Sequence, residues 1–180
     1  MKLCRPELLD VDRHDRDRFA STDEAMNEWL RRYARQSRRD DTAATWVIAS
    51  PRGRIAAFAS LSMTGIDRSE APASLGKGSP NPVPGLLIGR LAVDHDFEGR
   101  GVGTALVQHA LALAVDLNNT AACKAVVVVA LNAEAKAWWL RLGFHCWDEE
   151  DDECFELFLL TAEIEETFGA ARGRWDSGLW

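Results

Sequence analysis

No stretch of the chain stays apolar over the roughly 20 residues that a membrane span requires; the longest apolar run, Ala125 to Leu131, is only strand-sized. The N-terminus, Met1-Lys-Leu-Cys-Arg-Pro-Glu7, lacks the apolar segment of a secretory leader, so a cytoplasmic location with no membrane partner is expected. Cysteine is scarce and scattered. Cys4, Cys123, Cys146 and Cys154 contain no Cys-x-x-Cys pair, so a paired-cysteine zinc site is excluded and free thiols are expected. His14, His95, His109 and His145 are equally dispersed, and no metal site is expected. Tyr33 is the only tyrosine, which matters for any reaction that needs a phenol as its acid.

What is present fits one globular domain: 180 residues, 47% hydrophobic and 27% charged. We place the domain at residues 1–168 and treat 169–180, an aperiodic stretch with Trp175 and Trp180, as a flexible tail. The net charge of −7 argues against a uniformly nucleic-acid-binding surface. Its distribution is uneven, however. Arg31, Arg32, Arg35, Arg38 and Arg39 crowd one short segment, while Asp148 to Glu153 form an unbroken acidic run.

Apolar spacing predicts a helix from Asp23 or Thr22 to about Ser37, with Met26, Leu30, Tyr33 and Ala34 on one face and the arginines on the other. Thr45–Ser50 and Ile55–Met63 read as strands joined by a turn at Pro51–Gly53. Residues 64–84, rich in glycine and proline, read as a long surface loop. Gly85–Asp94 is a buried strand, Thr104–Leu117 a helix, Lys124–Leu131 a strand, and Ala133–Arg141 a short helix closed by Gly143. Phe144–Trp147 and Cys154–Leu160 form a last hairpin around the acidic run. The fold class is α/β, a mixed, mostly antiparallel sheet flanked by helices.

Between the strand ending at Asp94 and the helix from Thr104 lies Glu98-Gly-Arg-Gly-Val-Gly103. Glycines there permit positive φ and close approach of a ligand to the backbone. The helix start offers unpaired amides and the positive end of its dipole, and Arg100 adds a fixed charge. These features suit a diphosphate. No Gly-Lys-Ser/Thr follows, and Leu106 stands where a Gly-x-Gly-x-x-Gly loop needs its last glycine, so neither nucleotide-binding loop is indicated.

Leu91-Ala-Val-Asp94 followed by Glu98-Gly-Arg-Gly-Val-Gly103 resembles motif A of the GNAT acetyltransferases, Gln/Arg-x-x-Gly-x-Gly/Ala. The resemblance implies the GNAT fold and acetyl-CoA as co-substrate, without a metal. It implies that the amides of Arg100, Gly101, Val102, Gly103 and Thr104 hold the CoA diphosphate, and that Leu91, Ala92 and Val93 bond the pantetheine arm. Glu98 departs from the pattern by placing a carboxylate near phosphates.

Met26–Gln36, Glu70-Ala-Pro-Ala73, Pro82-Val-Pro84, Leu86–Asp94, Ala137–Phe144 and Leu157-Phe-Leu159 are together similar to the GNAT toxins of bacterial toxin–antitoxin pairs. That branch transfers acetyl to the α-amine of aminoacyl-tRNA and so blocks translation. The resemblance implies aminoacyl-tRNA as substrate, a homodimer, and a ribbon–helix–helix antitoxin as partner. Arg31, Arg32, Arg35 and Arg38 would then meet tRNA phosphates; otherwise they are a solvated helix face. Arg90 either faces the acceptor end or is a structural arginine.

Trp139 occupies the position of the tyrosine that these toxins use as an acid toward the departing thiolate, in Trp138-Trp-Leu-Arg-Leu-Gly-Phe144. An indole donates a hydrogen bond but is no phenol-like acid. Trp139 is therefore the candidate catalytic residue, and Trp138 is expected to pack. The function expected from the resemblance is acetylation of aminoacyl-tRNA. The alternatives are a GNAT acting on a small-molecule or protein amine, and a CoA-binding module weakened by the loss of the tyrosine.

Overall fold

The computed structural model describes residues 2–171. The elements are β1 (Glu7–Leu8), α1 (Glu24–Arg32), α2 (Ala34–Arg39), β2 (Ala44–Ala49), β3 (Ile55–Ile66), α3 (Ala73–Gly76) and β4 (Val83–Val93). They continue with α4 (Val102–Ala121), β5 (Ala125–Val129), α5 (Ala133–Arg141), β6 (His145–Cys146), β7 (Glu156–Leu160) and α6 (Thr161–Ala171). Seven strands hydrogen-bond in the order β1-β2-β3-β4-β5-β7-β6. The β1–β2, β2–β3, β5–β7 and β6–β7 pairings are antiparallel, as expected. The described residues form two compact units: one of residues up to 62 together with 88–110, the other of residues 63–87 and 111–171.

In the first unit Asp23 caps α1, its carboxylate accepting from the Ala25 amide at 2.8 Å. Trp29, Leu30 and Ala34 meet Phe19, Val47, Ala49, Ile55, Phe58 and Ala92 in one apolar cluster. The expected single helix is instead two. The helix is interrupted at Tyr33, whose φ widens to −107° while its N–H stays bonded to the Trp29 carbonyl, and α2 starts at Ala34. No glycine or proline marks this break, so spacing alone runs straight through it. Val47 and Ala49 point at α1, and Trp46, one residue out of phase, packs at 4.3 Å on the His109 ring of α4. Strand β2 thus carries a helix over each face.

The Nε2 atom of His109 is buried without a hydrogen-bond partner among the described residues, and burial lowers its pKa from 6.5. The native ring takes up its proton only at a lower pH than the unfolded chain does. Stability from this group is therefore complete above about pH 6.5 and declines as pH falls below it. We expect the melting temperature to drop between about pH 7.5 and pH 5.5, and His109→Leu to flatten that slope. Thermal melts at a series of pH values measure it; equal slopes in both proteins would contradict it.

In the second unit Ile66, Leu75, Val83, Ala125, Val127 and Phe158 form the apolar cluster, with Val127 directly opposite Phe158 across the β5–β7 ladder. The expected loop at 64–84 is shorter and more ordered than its composition suggests. Strand β3 runs on to Ile66, β4 begins at Val83, and α3 buries Leu75 between them. Arg68 Nη1 donates to the Ser79 carbonyl at 3.1 Å, and Trp147 Nε1 donates to the Glu70 carbonyl at 2.8 Å. These bonds take the place of a regular ladder.

Asn132, a cap the sequence reading did not name, holds the start of α5 through the Ala135 amide at 2.9 Å, and Gly143 at φ +94° follows its end as expected. In α6 the Glu163 carboxylate reaches back to the Leu160 amide at 3.1 Å. This helix continues to Ala171, past the expected domain end at 168; the rest of the expected tail, with Trp175 and Trp180, lies outside the described residues.

Candidate active site

Strand β4 ends at Val93, a single 3-10 turn (His95–Phe97) follows, and α4 starts at Val102, two residues before the expected Thr104. Between them Gly99 and Gly101 adopt φ +68° and +74°, a region that L side chains enter only under strain. A Cβ at either glycine would meet nothing within 4 Å, so the loop's outer side is open and conformation, not space, demands glycine. The first bond of the helix runs from the Ala105 amide to the Gly101 carbonyl at 2.9 Å. The amides of Val102, Gly103 and Thr104 come before it and have no partner within the helix. The Arg100 guanidinium lies 5.7 Å from the centre of the buried Phe97 ring. Unpaired amides at the positive end of a 20-residue helix, with an arginine beside them, fit a diphosphate. The Glu98 carboxylate has its own neighbour, His95 Nδ1, at 3.7 Å. Leu91 and Val93 are half-buried on β4, and Ala92 between them belongs to the apolar cluster.

The loop hangs from a buried carboxylate that sequence reasoning missed. Asp94 is 1% exposed. One of its oxygens accepts from the Ala20 amide at 2.9 Å; the other accepts from Arg54 Nη2 at 2.9 Å and from the Asp96 amide at 3.1 Å. Arg54 also donates to the Arg18 carbonyl and to Asp96, and its guanidinium stands 5.9 Å from the Phe97 ring. The start of the loop is thereby tied to β3 and to the segment before α1. Forty residues separate Arg54 from Asp94, and the only sequence signal is an aspartate closing an apolar run.

The arginine segment is less free than its composition implies. Arg31 pairs with Glu24, Arg32 with Glu28 at 2.9 Å, and Arg39 with Asp40 at 3.1 Å. Arg35 and Arg38 sit one turn apart on α2 and form no salt bridge among the described residues. Arg90 lies with its guanidinium carbon 4.6 Å from the centre of the Trp29 ring. Both border a groove of about 430 Å³ whose other walls are Tyr33, Gln36, Ser37, Asp40 and Thr42.

In the second unit Trp139, not Trp138, is the deeply buried tryptophan, at 4% exposure. It meets Trp138 edge-on at 4.8 Å and Phe144 edge-on at 5.0 Å. Glu163 Oε1 stands 2.9 Å from Nε2 of the nearby His145. Among the described residues no three His, Cys, Asp or Glu side chains are grouped to hold a metal. No described helix is long and apolar enough to cross a membrane.

Residues 8–144 match the acetyltransferase (GNAT) family. The tRNA-acetylating toxin of Mycobacterium tuberculosis (strain ATCC 25618 / H37Rv) is 29% identical over 133 residues, covering 74% of this chain and 80% of that protein. The structure is similar to AtaT complexed with acetyl-methionyl-tRNAfMet, with a TM-score of 0.83 and 26% identity over 93% of this chain and 99% of that one. It is also similar to a tyrosine-to-phenylalanine mutant of the AtaT toxin bound to the C-terminus of the antitoxin AtaR and acetyl-CoA. There the TM-score is 0.78 and the identity 25%, over 92% of this chain and 98% of that one. Motif, strand order and family match agree: the chain belongs to the acetyltransferase (GNAT) family and has its fold.

Proposed function

We propose that the chain is the toxin of a toxin–antitoxin pair and acetylates the α-amine of aminoacyl-tRNA with acetyl-CoA as donor. The observation that carries the reading is the open amide cradle at the start of α4 in a chain similar to a tRNA-acetylating toxin. The amides of Arg100 to Thr104 bind the diphosphate, Arg100 supplies charge, and the edge of β4 at Leu91–Val93 aligns the pantetheine arm. Bound there, acetyl-CoA supplies an activated acetyl thioester. Arg35 and Arg38 are the helix arginines best placed for tRNA phosphates, since Arg31 and Arg32 already face carboxylates. A homodimer, a ribbon–helix–helix antitoxin and a cytoplasmic location complete the proposal by likeness to the toxins.

Charged tRNA incubated with the protein and labelled acetyl-CoA should become labelled at the aminoacyl nitrogen, and translation in a cell-free system should stop. Unlabelled tRNA together with undisturbed translation would overturn the reading.

The burial of Trp139 favours a second reading, a coenzyme-binding chain with weakened chemistry, because a packed indole cannot give up a proton as a phenol does. The two readings part at one substitution. Trp139→Tyr should raise kcat on charged tRNA about tenfold, a modest share of the 10²–10⁴ that acid catalysis typically supplies. An unchanged kcat in an active enzyme would assign the thiolate's proton to another group. Transfer detected only in the variant would establish the second reading.

A further inference from the structure

We infer that the groove between Arg90 and α2 is a stacking site for an unpaired, amino-bearing nucleobase, the chemistry of a tRNA's single-stranded 3′ end. The inference rests on the tRNA reading above and adds to it the group that is recognised. Its floor is built in layers. Trp29 is 8% exposed and stacks on the fully buried Phe58, with ring planes 12° apart and centres at 5.8 Å. The Arg90 guanidinium rests on this fixed indole at 4.6 Å. A guanidinium is planar and weakly hydrated, and it accepts a second flat ring more readily than an ammonium would.

The opposite wall offers the rest of what a base requires. Tyr33 stands at the break between α1 and α2, 48% exposed, and presents a second aromatic surface. Gln36 both donates and accepts hydrogen bonds, and the Asp40 carboxylate, one oxygen of which accepts from Arg39 at 3.1 Å, keeps its second oxygen as an acceptor. An acceptor in the lining favours bases with an exocyclic amine, adenine, cytosine and guanine, over uracil. The volume of about 430 Å³ lies in the range of small-ligand sites and suits one nucleoside. A phosphate alone would use the charge of Arg90 but leave its flat face, the Tyr33 ring and the acceptor without a role.

The test titrates the full-length protein, first saturated with CoA so that the cradle is blocked, with adenosine 5′-monophosphate, uridine 5′-monophosphate and ribose 5-phosphate. The adenine nucleotide should bind about tenfold more tightly than ribose 5-phosphate, the size expected for one stacked base, with the uracil nucleotide between them. Ser37→Trp, which fills the groove, and Arg90→Gln, on a separate element, should each erase the preference while the melting temperature holds. Two variants keep the test decisive if one misfolds. Equal binding of the nucleotide and the sugar phosphate, or a preference that survives in the folded variants, overturns the site. The same variants should raise KM for charged tRNA about tenfold with kcat retained. If the unaltered protein acetylates charged tRNA and KM does not move, the groove assignment fails and the tRNA reading stands. If it acetylates no tRNA, the tRNA reading fails, and the nucleotide titrations still decide the groove.

Discussion

Gly101→Val is expected to weaken CoA binding by about 10²–10³-fold while leaving the fold intact. At φ +74° this position costs an ordinary L residue about 1–2 kcal/mol, and a β-branched residue suffers more. The added Cβ would meet no protein atom within 4 Å, so no clash disturbs the core. Strain is relieved only if the loop leaves the left-handed region, which turns the amides before Val102 away from their common focus. Hydrogen bonds to a charged group are worth about 1.5–3 kcal/mol each. One such bond lost, together with the strain that binding must restore, comes to about 3–4 kcal/mol, hence the factor quoted. Calorimetric titration of CoA into both proteins measures it, and Gly101→Ala should fall between them. Undiminished affinity in the valine variant would mean that the diphosphate does not rest on these amides.

The cradle was legible in the sequence because everything that makes it is local. An apolar run, an aspartate, three glycines at alternate positions and a helix start lie within Leu91–Thr104, and the backbone follows from them directly. The same holds for α5, whose span Ala133–Arg141 and closing Gly143 were read from the sequence, although its Asn132 cap was not. What the sequence hid depends on partners far along the chain. The break at Tyr33 has no breaker residue, and because Leu30 and Ala34 would share a face of one unbroken helix as well, the apolar spacing does not betray it. The ordered part of residues 67–82 depends on Trp147, a tryptophan from the other end of its unit. Strand β1, two residues long, exists through its pairing of Glu7 with Val47 and Leu8 with Trp46. The groove combines an arginine of β4 with residues of α1 and α2, and no linear pattern joins them. Arginine-rich composition also overstated the basic face, because Glu24, two turns earlier, and Glu28, one turn earlier, already occupy Arg31 and Arg32.

Asp94→Ala should be the most damaging single change in the first unit, lowering unfolding free energy by about 3–5 kcal/mol. The carboxylate is 1% exposed and is the common acceptor of Arg54 and of two backbone amides. Its removal leaves a guanidinium at 15% exposure with only the exposed Asp96 as a carboxylate partner, and strands the Ala20 and Asp96 amides. Asp94→Asn separates shape from charge. One amide oxygen can still accept from Arg54 and Asp96, but the amide nitrogen then faces the Ala20 N–H, donor against donor. A loss of about 2 kcal/mol is expected for the asparagine, roughly the cost of a buried donor left unmade. Urea denaturation of the two variants gives both values. Because the loop to Gly101 starts at this carboxylate, folded Asp94→Asn protein should also bind CoA more weakly, whereas a change elsewhere in the core with equal stability loss should not. An alanine variant as stable as the parent would mean that Arg54 finds its counter-charge elsewhere and that the cradle holds its shape without the buried pair.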